Sequence, residues 1–357
     1  MTEIADLLKV FLPAIAAFWI GIAIAPLLTH YLYKYKVWKK HGGKVALDGA
    51  PAKVFTELRA ETETKTPRMG GILIWASVAI TTVGAWLLAQ FAPTEFTTKI
   101  DFLTRNQTWI PFTTLMLGAL VGLVNDILDI TDPKGEKGIP ILGRLTFVAF
   151  LSLFIGWWFY AKLDVVSITL PFDGELYLGW LIVPLFMLVS LFLYASGVID
   201  GIDGLSGGVF ASIFTAYAFI AFHQEQIDLA AFCATIVGAL LAFLWFNIPP
   251  ARFWMTETGS MGLTITIAAV AFMTDTLGEG KGISALPIIA FLLIATVFSN
   301  IIQVVSKRFR GGKKVFRIAP LHHHFEAIGW PGYKVTMRYW ILSIIFGILG
   351  VSIALLP

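Results

Sequence analysis

Long apolar runs separated by short polar breaks dominate the chain. A helix rises about 1.5 Å per residue, so about 20 apolar residues cross a bilayer core of about 30 Å. Ten stretches reach or approach that length: 10–32, 71–92, 109–129, 142–162, 178–197, 205–223, 227–248, 261–276, 284–306 and 336–356. The eighth is short and the fifth runs close to its neighbour, which leaves a count of nine open. Segment 164–177, DVVSITLPFDGELY, places β-branched residues around a Pro-Phe-Asp-Gly turn and fits a short β-hairpin. No internal repeat and no low-complexity tract interrupts this pattern. The expectation is an all-α polytopic integral membrane protein of about ten transmembrane helices, with one domain over residues 1–357 and a short periplasmic hairpin.

Lysine and arginine give the orientation. Loop 33–70 carries Lys34, Lys36, Lys39, Lys40, Lys44, Lys53, Arg59, Lys65 and Arg68. Loop 307–335 carries Lys307, Arg308, Arg310, Lys313, Lys314, Arg317 and Lys334, and loop 130–144 adds Lys134, Lys137 and Arg144. With ten helices these loops fall on one side, and the opposite loops hold Lys99, Arg105 and Lys281. The basic side is therefore expected to be cytoplasmic, with both termini outside.

Composition agrees. The sequence is 57% hydrophobic and 14% charged, against about 25% charged in a soluble domain. The single cysteine, Cys233, lies in an apolar run, so no disulfide within the chain and no oxidising compartment is implied. The first apolar run is longer than the about 7–15 residues of a signal peptide's core and reads as the first span.

Acidic residues are costly in spanning helices and gather at functional positions. Here four groups stand at helix ends on the basic side. The first is Asn125, Asp126 and Asp129 in GLVNDILDITD, with Asp126 and Asp129 on one face; a solvated helix end is the plainer reading for Asp129 and Asp132. The second is SGVIDGIDGLSGG, residues 196–208, where Asp200 and Asp203 sit among glycines that permit close backbone approach to a ligand. The third is FLWFNIPPARFWMTETGSMG, residues 243–262, with Asn247, Glu257 and Ser260. A helix N-terminus there favours anions, and simple capping is the expected role of Thr256 and Thr258. The fourth is IAPLHHHFEAIGW, residues 318–330. Its adjacent histidines cannot all share one helical face, which points to a loop or a helix entry; imidazoles there can donate to phosphate or relay protons. Carboxylates, imidazoles and nearby cations at a membrane surface suit a magnesium-assisted reaction between a lipid and a charged, soluble phosphate donor. A transporter would place its charges nearer the bilayer midplane.

These motifs resemble the polyprenyl-phosphate N-acetylhexosamine-1-phosphate transferases over nearly the whole chain. The shared segments are TPRMGG at 66–71, DGIDGL at 200–205, FLWFN at 243–247, the Gly-Ser at 259–260, and APLHHHFE at 319–326. The last is the most specific and favours the muramoyl-pentapeptide branch of that family. The resemblance implies a bacterial plasma-membrane enzyme of peptidoglycan synthesis with Mg2+ and an active site on the cytoplasmic face. Its donor would be UDP-MurNAc-pentapeptide, its acceptor undecaprenyl phosphate, and its products lipid I and UMP. The implied partners are those substrates and the lipid bilayer, with no nucleic acid; a homodimer is left open. The alternatives are a related GlcNAc-1-phosphate transferase and an inactive relative that serves as scaffold or lipid-binding protein.

The resemblance also distributes roles. Asp126, Asp200, Asp203, His322, His323 and His324 take the catalytic positions. Lys65, Arg144, Asn247 and Ser260 would bind substrate, and Asn125, Asp126 and Glu257 would hold the metal. Four positions depart from the family pattern. Asn125 stands where the first of two adjacent aspartates is usual, Asp129 where a lysine is usual, and Gly197 where an asparagine is usual. Thr256-Glu257 replaces the usual Gly-Asp, which keeps a carboxylate but moves it by about one methylene.

Overall fold

The computed structural model describes residues 2–40, 63–131, 138–171 and 174–356. Lys44, Lys53, Arg59, Asp132, Lys134 and Lys137 of the basic loops, and Phe172 and Asp173 of the expected turn, lie outside the described residues.

The chain folds into a helical bundle. In order, its helices are α1 (Thr2–Lys34), α2 (Gly71–Phe91), α3 (Glu95–Ile100), α4 (Trp109–Thr131), α5 (Ile141–Lys162), α6 (Ile182–Ala195), α7 (Leu205–His223), α8 (Ile227–Asn247), α9 (Glu257–Met273), α10 (Gly282–Ile289), α11 (Phe291–Phe309), α12 (Leu321–Ala327) and α13 (Gly332–Ala354). Strands β1 (Ser167–Leu170) and β2 (Gly174–Tyr177) pair antiparallel between α5 and α6, with Ser167 opposite Tyr177 and Leu170 opposite Gly174. This is the expected hairpin. The Thr169 amide donates to Asp275 Oδ1 at 2.8 Å, which pins the hairpin to the turn after α9.

Among the described residues, nine helices are long and apolar enough to cross a membrane. The remaining expected span, α9, has 17 residues and reaches only about 26 Å at 1.5 Å per residue. Burial resolves the shortfall, because every residue of α9 from Thr258 to Met273 is buried in protein. It is a central helix, packed against α4, α6 and α2. The outer helices show lipid-compatible faces instead, with Trp19 of α1, Phe150 of α5 and Ile348 of α13 exposed.

The stretch expected as one span over 284–306 is two helices. In α10, Pro287 cannot donate a backbone hydrogen bond, and helical dihedrals lapse at Ala290 (φ −95°, ψ 21°) before α11 begins. The short helix α3, capped reciprocally by Thr94 and Thr97, has no counterpart in the apolar pattern because it is polar and exposed.

Candidate active site

The four polar groups come together at one end of the bundle. Close packing of α4 on α9 sets the first contact. A Cβ on Gly118 would fall 2.7 Å from the Gly262 Cα, and one on Gly122 would fall 2.0 Å from the Glu257 carbonyl oxygen. Positions 118, 122, 125 and 126 follow the helical repeat and share this face. The face that permits close packing therefore delivers Asp126 to the start of α9.

Asp126 is fully buried. Its Oδ2 accepts the Thr258 amide at 2.9 Å, the Thr258 hydroxyl at 2.6 Å and the Thr256 hydroxyl. A helix N-terminus presents unpaired N–H groups and the positive end of its dipole. A carboxylate from another helix occupies that position here. The capping expected of the threonines is thus corrected: Thr256, at the N-cap, makes no side-chain cap bond. Its φ of +55° and ψ of −169° lie outside the β region that an N-cap residue uses. A carboxylate is also a stronger acceptor than a neutral group, so both hydroxyls turn to Asp126. Such a backbone conformation costs a β-branched residue on the order of 1–3 kcal/mol.

Arg68, in the segment leading into α2, closes the other side of Asp126. Its Nη2 lies 3.5 Å from Asp126 Oδ1 and its Nη1 lies 2.9 Å from Asp129 Oδ2. Lys39 Nζ stands 3.8 Å from the same Asp129 oxygen. Two carboxylates one turn apart on α4 thereby share a guanidinium. Asn125 Oδ1 accepts the Ile139 amide at 3.0 Å and holds the segment before α5 against α4.

Glu257, the first residue of α9, accepts from Arg144 of α5, with Nη1 to Oε1 at 2.6 Å. At 25% and 22% side-chain exposure, this pair is more accessible than Asp126, Asp129 or Arg68.

The glycine-rich turn joins from the other side. Asp200 Oδ2 accepts the Thr256 amide at 2.7 Å, and its Oδ1 accepts the Ser206 hydroxyl at 2.7 Å. Asp203 accepts the Ala251 amide at 3.1 Å and the Trp254 indole N–H at 3.0 Å. Asn247 clamps the same loops: its Oδ1 accepts the Gly204 amide at 2.9 Å and its Nδ2 donates to the Phe253 carbonyl at 2.8 Å. Gly204 has φ +76°, a conformation open to glycine at little cost. Ser260 Oγ lies 3.5 Å from where a Cβ on Gly197 would stand.

The histidines occupy the first turn of α12 and divide. His322 and His323 are buried, and their Nε2 atoms lie 2.7 and 2.6 Å from the place of a Cβ on Gly201. They therefore press on the turn that carries Asp200. His323 Nδ1 pairs with Glu326 Oε2 at 2.7 Å. His324 faces away, accepting the Arg317 amide at 3.2 Å and meeting Phe316 edge-on. Lys65 is exposed in the segment ahead of Arg68.

The arrangement joins Asp126, Asp200, Glu257, His322 and His323 within one hydrogen-bonded and packed cluster. Sequence reasoning missed Arg68, Thr256, Thr258 and Trp254 as its fasteners. Arg68 stood in view as a charge beside an apolar helix, but its pairing across 58 residues with Asp126 has no local signal. Among the described residues, no three His, Cys, Asp or Glu side chains gather as a metal cage. A cation that draws most of its ligands from water and substrate phosphates needs only one or two protein carboxylates. Glu257, a quarter of whose side chain is exposed, is a candidate for such a carboxylate.

Known proteins share this sequence pattern. The pattern described as Glycosyl transferase family 4 matches residues 108–275, which span α4 to α9 and hold the first three polar groups. The chain is 32% identical to a phospho-N-acetylmuramoyl-pentapeptide-transferase of Geobacillus thermodenitrificans, over 94% of this chain and 95% of that protein. It is 33% identical to the protein of that name from Bacillus cytotoxicus, again over 94% and 95%. It is 28% identical to the one from Chloroflexus aggregans, over 99% of this chain and 91% of the relative.

Proposed function

For a chain that belongs to the phospho-N-acetylmuramoyl-pentapeptide-transferase family, we propose transfer of phospho-N-acetylmuramoyl-pentapeptide from UDP-MurNAc-pentapeptide to undecaprenyl phosphate, giving lipid I and UMP. The single observation that carries this reading is the meeting of Asp126, Asp200 and Glu257 around Thr256 at the basic end of a membrane-spanning bundle. A lipid phosphate can approach there from the bilayer and a nucleotide from water.

In the reaction, an oxygen of the lipid phosphate attacks the sugar-side phosphorus of the donor diphosphate. A new P–O bond forms, the bond to the UMP oxygen breaks, and UMP departs with that electron pair. Bound Mg2+ would neutralise the diphosphate and the departing phosphate. Glu257, with Asp126 and Asn125, would hold that ion. Asp200 and Asp203 sit on the glycine-rich turn and would position the substrate or the acceptor phosphate through the loops they hold. His322 and His323 back the same turn and would serve the donor side, whereas His324, turned to Arg317 and Phe316, stands apart from them. Arg144 and Lys65 would meet phosphate oxygens, Asn247 keeps the surrounding loops in register for substrate, and Ser260 would bind substrate.

The site belongs on the cytoplasmic face of a bacterial plasma membrane by the same reading. Lys39, Arg68 and Arg144 pair with carboxylates of the site, and Lys36 and Lys40 line a cavity with Ile130 and Thr131 at the end of α4, in keeping with positive-inside orientation. The exposed apolar faces of α1, α5 and α13 would meet lipid, or in part a second copy in a homodimer. One domain would carry all of this chemistry.

The test is a donor panel on purified protein in lipid discs. UMP release from UDP-MurNAc-pentapeptide and none from UDP-GlcNAc is the expected result. The reverse preference would assign the chain to GlcNAc-1-phosphate transfer, and no release from either would mark it as an inactive relative.

A further inference from the structure

We infer that Thr256 is a positioning residue for the transfer, held in a strained backbone conformation so that its hydroxyl can fix the Asp126 carboxylate. The inference rests on the transferase reading above and adds a part to it. Thr256 is buried and lies at φ +55°, ψ −169°, a region that only glycine occupies freely. A β-branched residue persists there when its surroundings over-determine it, and here they do. The backbone N–H donates to Asp200 Oδ2 at 2.7 Å. The hydroxyl lies within hydrogen-bond reach of Asp126 Oδ2 and of the Met255 carbonyl at 2.8 Å. Its one proton goes to the carboxylate, the stronger acceptor. The same oxygen accepts the Met69 amide at 3.1 Å.

One residue thus ties α4, the turn carrying Asp200 and the segment before α2 to the start of α9, directly beside Glu257. Glycine would relieve the backbone and keep the bond to Asp200. It would lose only the two bonds of the hydroxyl, so the substitution separates strain from positioning.

Thr256→Gly, Thr256→Ser and Thr256→Val variants test this. Thr256→Gly should melt at or above the wild-type temperature. Its kcat for UMP release should fall at least tenfold, with KM for the nucleotide donor within twofold and the Mg2+ midpoint moved upward. Thr256→Ser should return kcat to within threefold of wild type. Thr256→Val, which keeps the strain and loses the hydroxyl, should be lower than wild type in both melting temperature and kcat. Wild-type turnover in Thr256→Gly, or a folded Thr256→Ser as slow as the glycine variant, would overturn the inference. If Thr256→Gly does not fold, a folded Thr256→Val with wild-type kcat would overturn it as well. Absence of UMP release from the wild type would instead sink the transferase reading. The link to Asp126 is then read from melting temperatures of Thr256→Val, Asp126→Asn and the double variant: losses smaller than additive support it, and additive losses refute it.

Discussion

Asp126 caps a helix to which it does not belong: its Oδ2 takes both the amide and the hydroxyl of Thr258, at 2.9 and 2.6 Å. α4 and α9 are joined by this contact, and the glycine face of α4 makes the approach possible. The carboxylate is wholly buried, so its partners matter more than at a surface.

Asp126→Ala should be strongly destabilised. It strands the Thr258 amide and deprives Arg68 of a partner; breaking a buried ion pair costs about 3–5 kcal/mol. Asp126→Asn keeps an acceptor oxygen and should lose less in melting temperature. Both should lose UMP release. Melting curves in detergent alongside turnover measure this, and an asparagine variant with full turnover would remove Asp126 from the mechanism.

Arg68 should behave as a shared partner. Arg68→Ala leaves Asp126 and Asp129 facing each other without the guanidinium that now lies 3.5 and 2.9 Å from them. Adding Asp129→Asn should recover part of the lost stability, with a coupling of about 0.5–3 kcal/mol, as expected for residues in one network. Simple additivity in a double-mutant cycle would show that the shared guanidinium carries no weight.

Gly201 should tolerate nothing larger. A Cβ would stand 2.6 Å from His323 Nε2 and 2.7 Å from His322 Nε2, and overpacking of this kind costs about 1–3 kcal/mol. Gly201→Ala should lower melting temperature and cut turnover at least tenfold. Gly84→Ala is the control, because nothing lies within 4 Å of its new Cβ; in the middle of α2 it should be neutral or stabilising by up to about 1 kcal/mol. Equal behaviour of the two variants would contradict the packing of the histidines on the turn.

The spans were legible because lipid imposes a length and a composition on each helix. The hairpin was legible from its turn and β-branched residues. The break at Ala290 was not, since apolar residues continue across it and Pro287 alone does not say where the helix stops. The acidic clusters were visible as charges in a place where charges are costly. Their partners were not: Arg68 reaches Asp126 and Asp129 through tertiary structure alone, and Thr256 looked like an ordinary N-cap until its backbone conformation was known. The departures at Asn125 and Asp129 acquire a context in the fold, where Asn125 holds Ile139 and Asp129 pairs with Arg68 and Lys39.

Glu257 pairs with Arg144 at 2.6 Å and is more exposed than Asp126 and Asp129. Glutamine keeps a side-chain oxygen that can accept from Arg144, so Glu257→Gln should fold. The most direct measurement is UMP release from UDP-MurNAc-pentapeptide and undecaprenyl phosphate across a Mg2+ titration, for wild type and Glu257→Gln side by side. Magnesium-dependent release by the wild type, with turnover at least a hundredfold lower and a raised Mg2+ midpoint in Glu257→Gln, is the predicted result. Release that is independent of Mg2+, or a Glu257→Gln variant with wild-type turnover and midpoint, would contradict it.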